Sequence, residues 1–124
     1  MPSFTDRELD VMGVLWELGS ATVPEVREKI ADDLAYTTVQ TVLRNLEAKG
    51  YVAHREEGRF HRYQPLVDRE EAGRSALSRL VTKIFRGSPE LLLTQLVSQR
   101  QLRDDQILRM RQLLDESLGE GKEG

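Results

Sequence analysis

The chain has 124 residues and a formal net charge of −3, with 39% apolar and 31% charged residues. This length fits one full domain or two small ones and argues against an elaborate multidomain enzyme. With no cysteine, disulfides, thiolate metal sites and cysteine nucleophiles are excluded, and without a leader-like start or an apolar run of about 20 residues we expect a soluble, cytoplasmic protein.

Two Thr-x-x-Glu motifs, at residues 5–8 and 22–25, predict the first two helices. In such a capping box the hydroxyl and the carboxylate satisfy backbone amides that a helix start leaves unpaired. The first motif predicts a helix over residues 6–18. The second predicts a short helix that has Pro24 in its first turn and ends near Asp32.

A third helix follows, and Gly50 closes it. Its start is open, because Thr37 with Gln40 could cap it or it could begin one turn earlier. Helical spacing assigns it one apolar stripe, which consists of Val39, Val42, Leu43 and Leu46.

After the third helix the apolar period changes to about two, which predicts a β-hairpin. Residues 51–55 and 60–64 are the strands, residues 56–59 the glycine-containing turn, and Pro65 the end of the second strand. An even-numbered loop predicts that Val52 opposes Tyr63, His54 opposes His61, Arg55 opposes Phe60, and Glu56 opposes Arg59. We expect the first pair to pack on the helices. Three helices and a hairpin within about 65 residues predict a winged helix-turn-helix.

The remaining chain is helical by pattern. One helix is predicted from Asp68 to about Arg86, a short one from Ser88, and a last one after Asp104. These short helices contain few apolar residues and would bury little apolar surface on their own, which favours a dimer. The candidate interface residues are Leu77, Leu80, Ile84, Leu92, Leu96, Ile107, Met110 and Leu114.

The fold class is therefore predicted as mainly α with a small β-hairpin wing. Residues 1–66 form a winged-helix DNA-binding domain, residues 67–118 a helical dimerisation domain, and residues 119–124 a flexible tail. Charge supports this division, since residues 1–36 hold three basic and eight acidic side chains, but residues 37–65 hold five basic and three acidic ones.

The outward face of the third helix is small and polar. Opposite its apolar stripe lie Thr37, Thr41, Arg44 and Ala48, flanked by Thr38 and Gln40. Thin polar side chains with one arginine suit a helix in the DNA major groove. An ordinary solvated face is the alternative, although Glu and Lys four residues apart are more typical of one.

Three arginines surround the predicted wing: Arg55, Arg59 and Arg62. They suit a phosphate backbone or a minor groove, and an edge hairpin protected by charge is the alternative. His54 and His61 are too few for a structural zinc site even with Glu56 as a third ligand. We expect no metal, no cofactor and no catalysis, because phosphate-binding, nucleophile and metal-binding motifs are absent.

Three segments, LDVMGVLW at 9–16, YTTVQTVLRNL at 36–46 and EGRFHRYQP at 57–65, together resemble the BlaI/MecI/CopY family of penicillinase-type repressors. The resemblance implies a homodimer whose winged helix binds a dyad-symmetric operator and represses a resistance-type operon and its own gene. It implies a recognition helix over 36–49. The contact candidates carried over by position are Thr37, Thr38, Gln40, Thr41 and Arg44, with the wing arginines Arg55, Arg59 and Arg62.

The inducing signal is left open by the resemblance. An upstream membrane sensor or protease is one candidate source. The antibiotic-responsive branch is cut at an Asn-Phe pair, where this chain has Gln95-Leu96, and the copper-sensing branch uses C-terminal cysteines, which this chain lacks.

A second hypothesis is a protein-interaction module that uses the winged helix as a scaffold and the acidic first two helices as a docking surface. Selection from a random duplex library separates the two hypotheses.

Overall fold

The computed structural model describes residues 2–99 and 102–123. In chain order the elements are α1 (Asp6–Leu18), β1 (Ala21–Thr22), α2 (Val23–Lys29), α3 (Tyr36–Ala48), β2 (Val52–Glu57), β3 (Phe60–Pro65), α4 (Arg69–Lys83), α5 (Pro89–Ser98) and α6 (Asp104–Glu123). This order confirms the predicted class, mainly α with a β-hairpin wing.

Both predicted capping boxes are present. The Thr5 hydroxyl accepts a hydrogen bond from the Glu8 amide at 3.1 Å, and the Glu8 carboxylate accepts one from the Thr5 amide at 2.8 Å. Thr22 and Glu25 repeat this arrangement at the start of α2. The second helix ends at Lys29, before the predicted Asp32, because the backbone becomes extended at the next residue.

The sheet has the strand order β1-β3-β2 and is antiparallel. Strand β1 was not predicted, since two residues carry no alternation that a pattern could reveal. It pairs Ala21 with Tyr63 and Thr22 with Arg62, which attaches the hairpin to the chain segment that leads into α2.

The register of the hairpin differs from the prediction. The observed pairs are Val52 with Pro65, Ala53 with Gln64, His54 with Tyr63, Arg55 with Arg62, Glu56 with His61, and Glu57 with Phe60. Gly58 and Arg59 therefore form the turn, and Gly58 has a φ of 60°, as the first position of a type II′ turn requires. Relative to the prediction, each residue of β2 pairs with a residue two positions further along β3. A shift of two leaves every side chain on its predicted face of the hairpin. Val52 and Tyr63 are accordingly both buried, although they are not opposite each other.

The hydrophobic core lies between the first three helices and the sheet. On α3, Val39, Leu43 and Leu46 are fully buried and Val42 is half-buried, so the predicted stripe faces inward. The core is completed by Val11, Met12, Val14, Leu15, Ala21, Val23, Val26, Val52 and Tyr63.

The chain divides into two compact units, Met1–Ser78 and Arg79–Gly124, whereas the sequence predicted a boundary after residue 66. The first turns of α4 belong to the first unit because they are tied to it. The Trp16 indole donates a hydrogen bond to the Val67 carbonyl at 2.8 Å, and the Ser75 hydroxyl donates one to the Pro2 carbonyl at 3.0 Å.

The second unit contains the end of α4 with α5 and α6. None of its described side chains, at 79–99 and 102–119, is buried. Helix α6 continues past Gly119 to Glu123, where the sequence predicted a flexible tail; the last residue of that tail, Gly124, lies outside the described residues.

The end of α3 is fixed to the start of α1 by an ion pair. Glu8 is 5% exposed, and its Oε1 lies 2.8 Å from the Nζ of Lys49, the residue that follows α3. Burial acts to raise the pKa of Glu8, but the hydrogen bonds from Lys49 and Thr5 outweigh it, and the pKa lies below its ordinary value.

We expect Glu8→Gln to lower the free energy of unfolding by about 1–3 kcal/mol at neutral pH, because Gln keeps the cap but loses the charge. A carboxyl whose pKa is lower in the folded state stabilises the fold above its unfolded pKa. That contribution disappears as the pH falls through the folded pKa, so the two proteins should converge in acid. Urea unfolding at several pH values measures this.

The exposed Glu17, which pairs with Lys29 at 3.3 Å, provides the control for the Glu8 prediction. Glu17→Gln should cost less than about 1 kcal/mol, as exposed ion pairs do. A Glu8→Gln deficit that is equal at neutral and acid pH would contradict the assignment.

Candidate nucleic-acid interface

The outward face of α3 is exposed and carries little charge. Thr37, Thr38, Thr41, Arg44 and Ala48 are exposed, and Gln40 is half-buried. Asn45, which sequence reasoning did not single out, is also exposed. It follows Arg44 directly, and its amide adds a donor and an acceptor of the kind that reads adenine edges.

The start of α3 differs from those of α1 and α2. Its N-cap is Ala35, which provides no side-chain hydrogen bond, and its first turn has no acidic residue. The alternative cap by Thr37 with Gln40 is therefore not used. Backbone amides at such a helix start remain available to an anion, and the helix dipole favours one there.

The basic side chains of the middle segment fall into two groups. Lys49 and Arg62 are held by carboxylates, whereas Arg44, Arg55 and Arg59 are exposed and make no ion pair with any residue in the described part of the chain. The unpaired cations thus lie on α3, on β2 and at the turn of the hairpin.

Arg62 occupies a different environment from the other two wing arginines. Its side chain is 19% exposed. Nε and Nη2 donate to Glu57 Oε2 at 2.9 and 2.7 Å, and Nη1 lies 3.1 Å from Glu25 Oε1 and 3.4 Å from Ser20 Oγ. The hydrogen bond from Arg62 lowers the pKa of Glu57. The guanidinium therefore contacts three separate segments of its own chain.

The two histidines lie on the face of the hairpin that also carries Tyr63. They pair with other residues across the strands, yet their rings stack at 4.1 Å as diagonal neighbours. His54 Nδ1 lies 2.5 Å from Glu47 Oε2, which connects β2 to the end of α3. Among the described residues, no group of three His, Cys, Asp or Glu side chains is arranged to hold a metal ion.

Tyr63 connects the core to the interface. Burial raises the pKa of its phenol, the charge of Glu47 raises it further, and the charge of Arg44 lowers it. The contact that places the wing beside α3 is the one between His54 and Glu47.

The residues predicted for dimerisation are accessible. Leu77, Leu80, Ile84, Ile107 and Leu114 are exposed, and Leu92, Leu96 and Met110 are half-buried. Further exposed apolar side chains in the same helices were not predicted: Leu91, Leu93, Val97, Leu108, Leu113 and Leu118. No helix in the described part of the chain is both long and apolar enough to cross a bilayer.

Comparison with known proteins identifies the family. Residues 4–116 match the model of the penicillinase repressor family. The penicillinase repressor of Bacillus licheniformis is 27% identical over 125 residues, which are 99% of this chain and 98% of that protein. The transcriptional regulator BlaI of Mycobacterium tuberculosis is 44% identical over 69 residues, which are 53% of this chain and 50% of that protein.

A solved structure supports the same relationship. The solution structure of the DNA-binding domain of the repressor BlaI is 35% identical and superposes with a TM-score of 0.51, covering 56% of this chain and 88% of that one. With the matched residues spanning most of its length, the chain belongs to the penicillinase repressor family, whose members are transcriptional repressors and not enzymes.

Proposed function

We propose that this protein is a homodimeric cytoplasmic repressor that binds a dyad-symmetric DNA operator through α3 and the wing. The observation that carries the proposal is the exposed, nearly uncharged face of α3, whose one arginine is Arg44, together with a hairpin that presents the exposed Arg55 and Arg59. A groove-reading helix needs such thin polar side chains, and unpaired guanidiniums can replace phosphate counterions. The solved DNA-binding domain of BlaI supports the assignment of this unit.

The roles divide by position. Thr37, Thr38, Gln40, Thr41 and Arg44 are proposed for base and phosphate contacts from α3. Arg55 and Arg59 are proposed for phosphate contacts from the wing, because both are exposed and neither forms an ion pair with a residue in the described part of the chain. Arg62 was predicted with them, and its carboxylate partners support a different role.

The proposed dimer interface is the apolar surface of α4, α5 and α6. A unit in which no described side chain is buried gains stability by covering exposed leucines with a second copy. Two winged-helix units related by a twofold axis would also match a palindromic operator with half-sites one or more helical turns apart.

We propose that the regulated genes are a resistance-type operon and the gene of the repressor itself. An upstream membrane sensor or protease would supply the inducing signal. Gln95 and Leu96, where the family's cleaved Asn-Phe pair would align, lie within α5, so a protease that acts there would have to open a helical turn.

Selection of binding duplexes from a random library by the full chain tests the function. We expect enrichment of a palindrome. If no sequence is enriched at low salt, the proposal of sequence-specific DNA binding is wrong, and the protein-interaction hypothesis replaces it.

On the enriched duplex, Arg44→Ala should weaken specific binding by about 1–3 kcal/mol if the guanidinium contacts a base edge in bidentate fashion. The discrimination between the enriched duplex and a scrambled one should fall by the same amount. Fluorescence anisotropy titrations on both duplexes measure the two affinities.

Arg59→Ala is the matched control for Arg44→Ala. A phosphate contact carries no sequence information, so its loss should weaken binding equally on both duplexes and reduce the magnitude of the salt slope by about 0.9. Equal losses on both duplexes for Arg44→Ala would move Arg44 from base reading to phosphate contact.

A further inference from the structure

We propose that Arg62 is a positioning residue of the DNA interface, which fixes the wing on the helix-turn-helix so that Arg55 and Arg59 reach phosphate. The inference rests on the proposed function and changes the role of one of its predicted contact residues.

The contacts of Arg62 join parts of the fold that the hairpin alone does not hold together. Glu57 is the last residue of β2, directly before the turn, whereas Glu25 lies in the first turn of α2 and Ser20 precedes β1. One guanidinium reaches all three, at 2.7 to 3.4 Å. The planar fork of arginine can satisfy several acceptors at once, which a lysine ammonium on a flexible stem does less well.

Glu25 has a second function that strengthens this connection. Its Oε1 also accepts a hydrogen bond from the Thr22 amide at 2.8 Å, within the capping box of α2. The acceptor is therefore already fixed in place when Arg62 binds to it. The hairpin is attached to a helix start whose geometry is set independently, and it needs no rearrangement to form the contact.

The backbone adds to the same attachment. Arg62 pairs with Thr22 of β1 on one side and with Arg55 of β2 on the other. Alternation places Arg55 and Arg62 on the same face of the hairpin. Neutralisation of Arg62 by two carboxylates thus limits like-charge repulsion at this pair, and it also prevents Glu57 from presenting a free negative charge beside the turn that carries Arg59.

If Arg62 contacted DNA directly, loss of its two carboxylate partners would change DNA affinity in the opposite direction from the one that a positioning role predicts. Glu25→Gln combined with Glu57→Gln removes two negative charges, so a contacting Arg62 would be released and binding would tighten or stay unchanged. A positioning Arg62 would keep only neutral amide acceptors in place of its two charged ones, so its anchors would weaken and DNA binding would weaken with them. Gln at position 25 keeps the capping box, so the start of α2 is preserved in the variant.

The experiment uses the full chain and the palindromic duplex that the wild-type chain enriches. We expect the double Gln variant, Arg62→Gln and Arg62→Lys each to bind about threefold to tenfold more weakly, as the loss of one or two modest hydrogen-bonded contacts would cause. Glu28→Gln is the control, because Glu28 is exposed on the same helix and makes no ion pair with any described residue; its affinity should be unchanged or slightly higher.

A measurement on the free protein tests the positioning role without DNA. Hydrogen exchange of the amides at residues 57–61 should become faster in the double Gln variant and in Arg62→Gln, while the amides of α3 stay protected. Loss of protection throughout the first unit would indicate general destabilisation, and that would overturn the proposal.

The remaining outcomes are also decisive. Tighter or unchanged binding by the double Gln variant, or full retention of affinity by Arg62→Lys, would make Arg62 a direct phosphate contact and overturn the proposal. Failure of the proposed function is distinguishable, since it would appear in the wild-type chain as the absence of any enriched duplex.

Discussion

Ending the chain after Ser78 is expected to give a folded monomer that binds the enriched palindrome about 10²- to 10⁴-fold more weakly than the full chain. In a dimer, binding of the first half-site makes binding of the second intramolecular, and that gain disappears with the interface. The retained segment keeps the whole core and the ties of Trp16 to Val67 and of Ser75 to Pro2. Sedimentation equilibrium and anisotropy titration measure the two effects.

A shorter fragment that ends after residue 66 is the control for the truncation. It loses Val67, Ala72 and Ser75, which are buried in the first unit, and we expect it to unfold at a lower temperature than the 1–78 fragment. If the 1–78 fragment sediments as a dimer at the concentrations where the full chain does, the proposed interface is in the wrong place.

The second prediction with a large expected effect concerns the stability of the first unit, which contains α3. Leu43→Ala should lower the free energy of unfolding by about 2–5 kcal/mol, because a fully buried leucine is replaced and a cavity remains. Leu43 lies on the inward side of α3, next in sequence to the exposed Arg44, so the core directly supports the helix that we propose reads DNA. Urea unfolding of the full chain, monitored by Trp16 fluorescence, measures the change.

Leu66→Ala makes the same chemical change at a position that is 56% exposed. It should cost less than about 1 kcal/mol, as surface substitutions usually do. A Leu43→Ala cost no larger than that of Leu66→Ala would show that α3 does not depend on this contact.

The helices were predictable because their signals are local. Capping boxes at Thr5 and Thr22 depend on residues three apart, and the stripe from Val39 to Leu46 depends on one helical period. Both signals lie within a single element, and no knowledge of the tertiary structure was needed to find them.

The errors in the sheet concern pairing between distant segments. Strand β1 exists only because β3 lies beside it, and the hairpin register depended on which turn position Gly58 takes. The hydrogen bond from Trp16 to the Val67 carbonyl is of the same kind: it joins residues 51 positions apart, and nothing in the local sequence marks it.

The same distinction applies to the candidate site. The exposed face of α3 followed from periodicity, so its residues were identifiable from the sequence. Periodicity did not reveal that Arg62 is ion-paired while Arg55 and Arg59 are not. Glu25 is 37 positions away from Arg62 in the sequence and meets it only in the folded chain. Composition shows how many charges a segment has, but not which of them are already neutralised.

The alanine at the start of α3 has a consequence for how far this fold can be stabilised. A Ser, Thr, Asp or Asn at an N-cap is worth about 1 kcal/mol over alanine, and α1 and α2 both use threonine there. At Ala35 the chain forgoes that stability and leaves α3 without a side-chain cap. Natural proteins commonly accept lower stability where a site must remain open to its ligand. Selection for thermostability alone would favour a capping residue at position 35, and we expect that residue to compete with the DNA binding that we propose for α3.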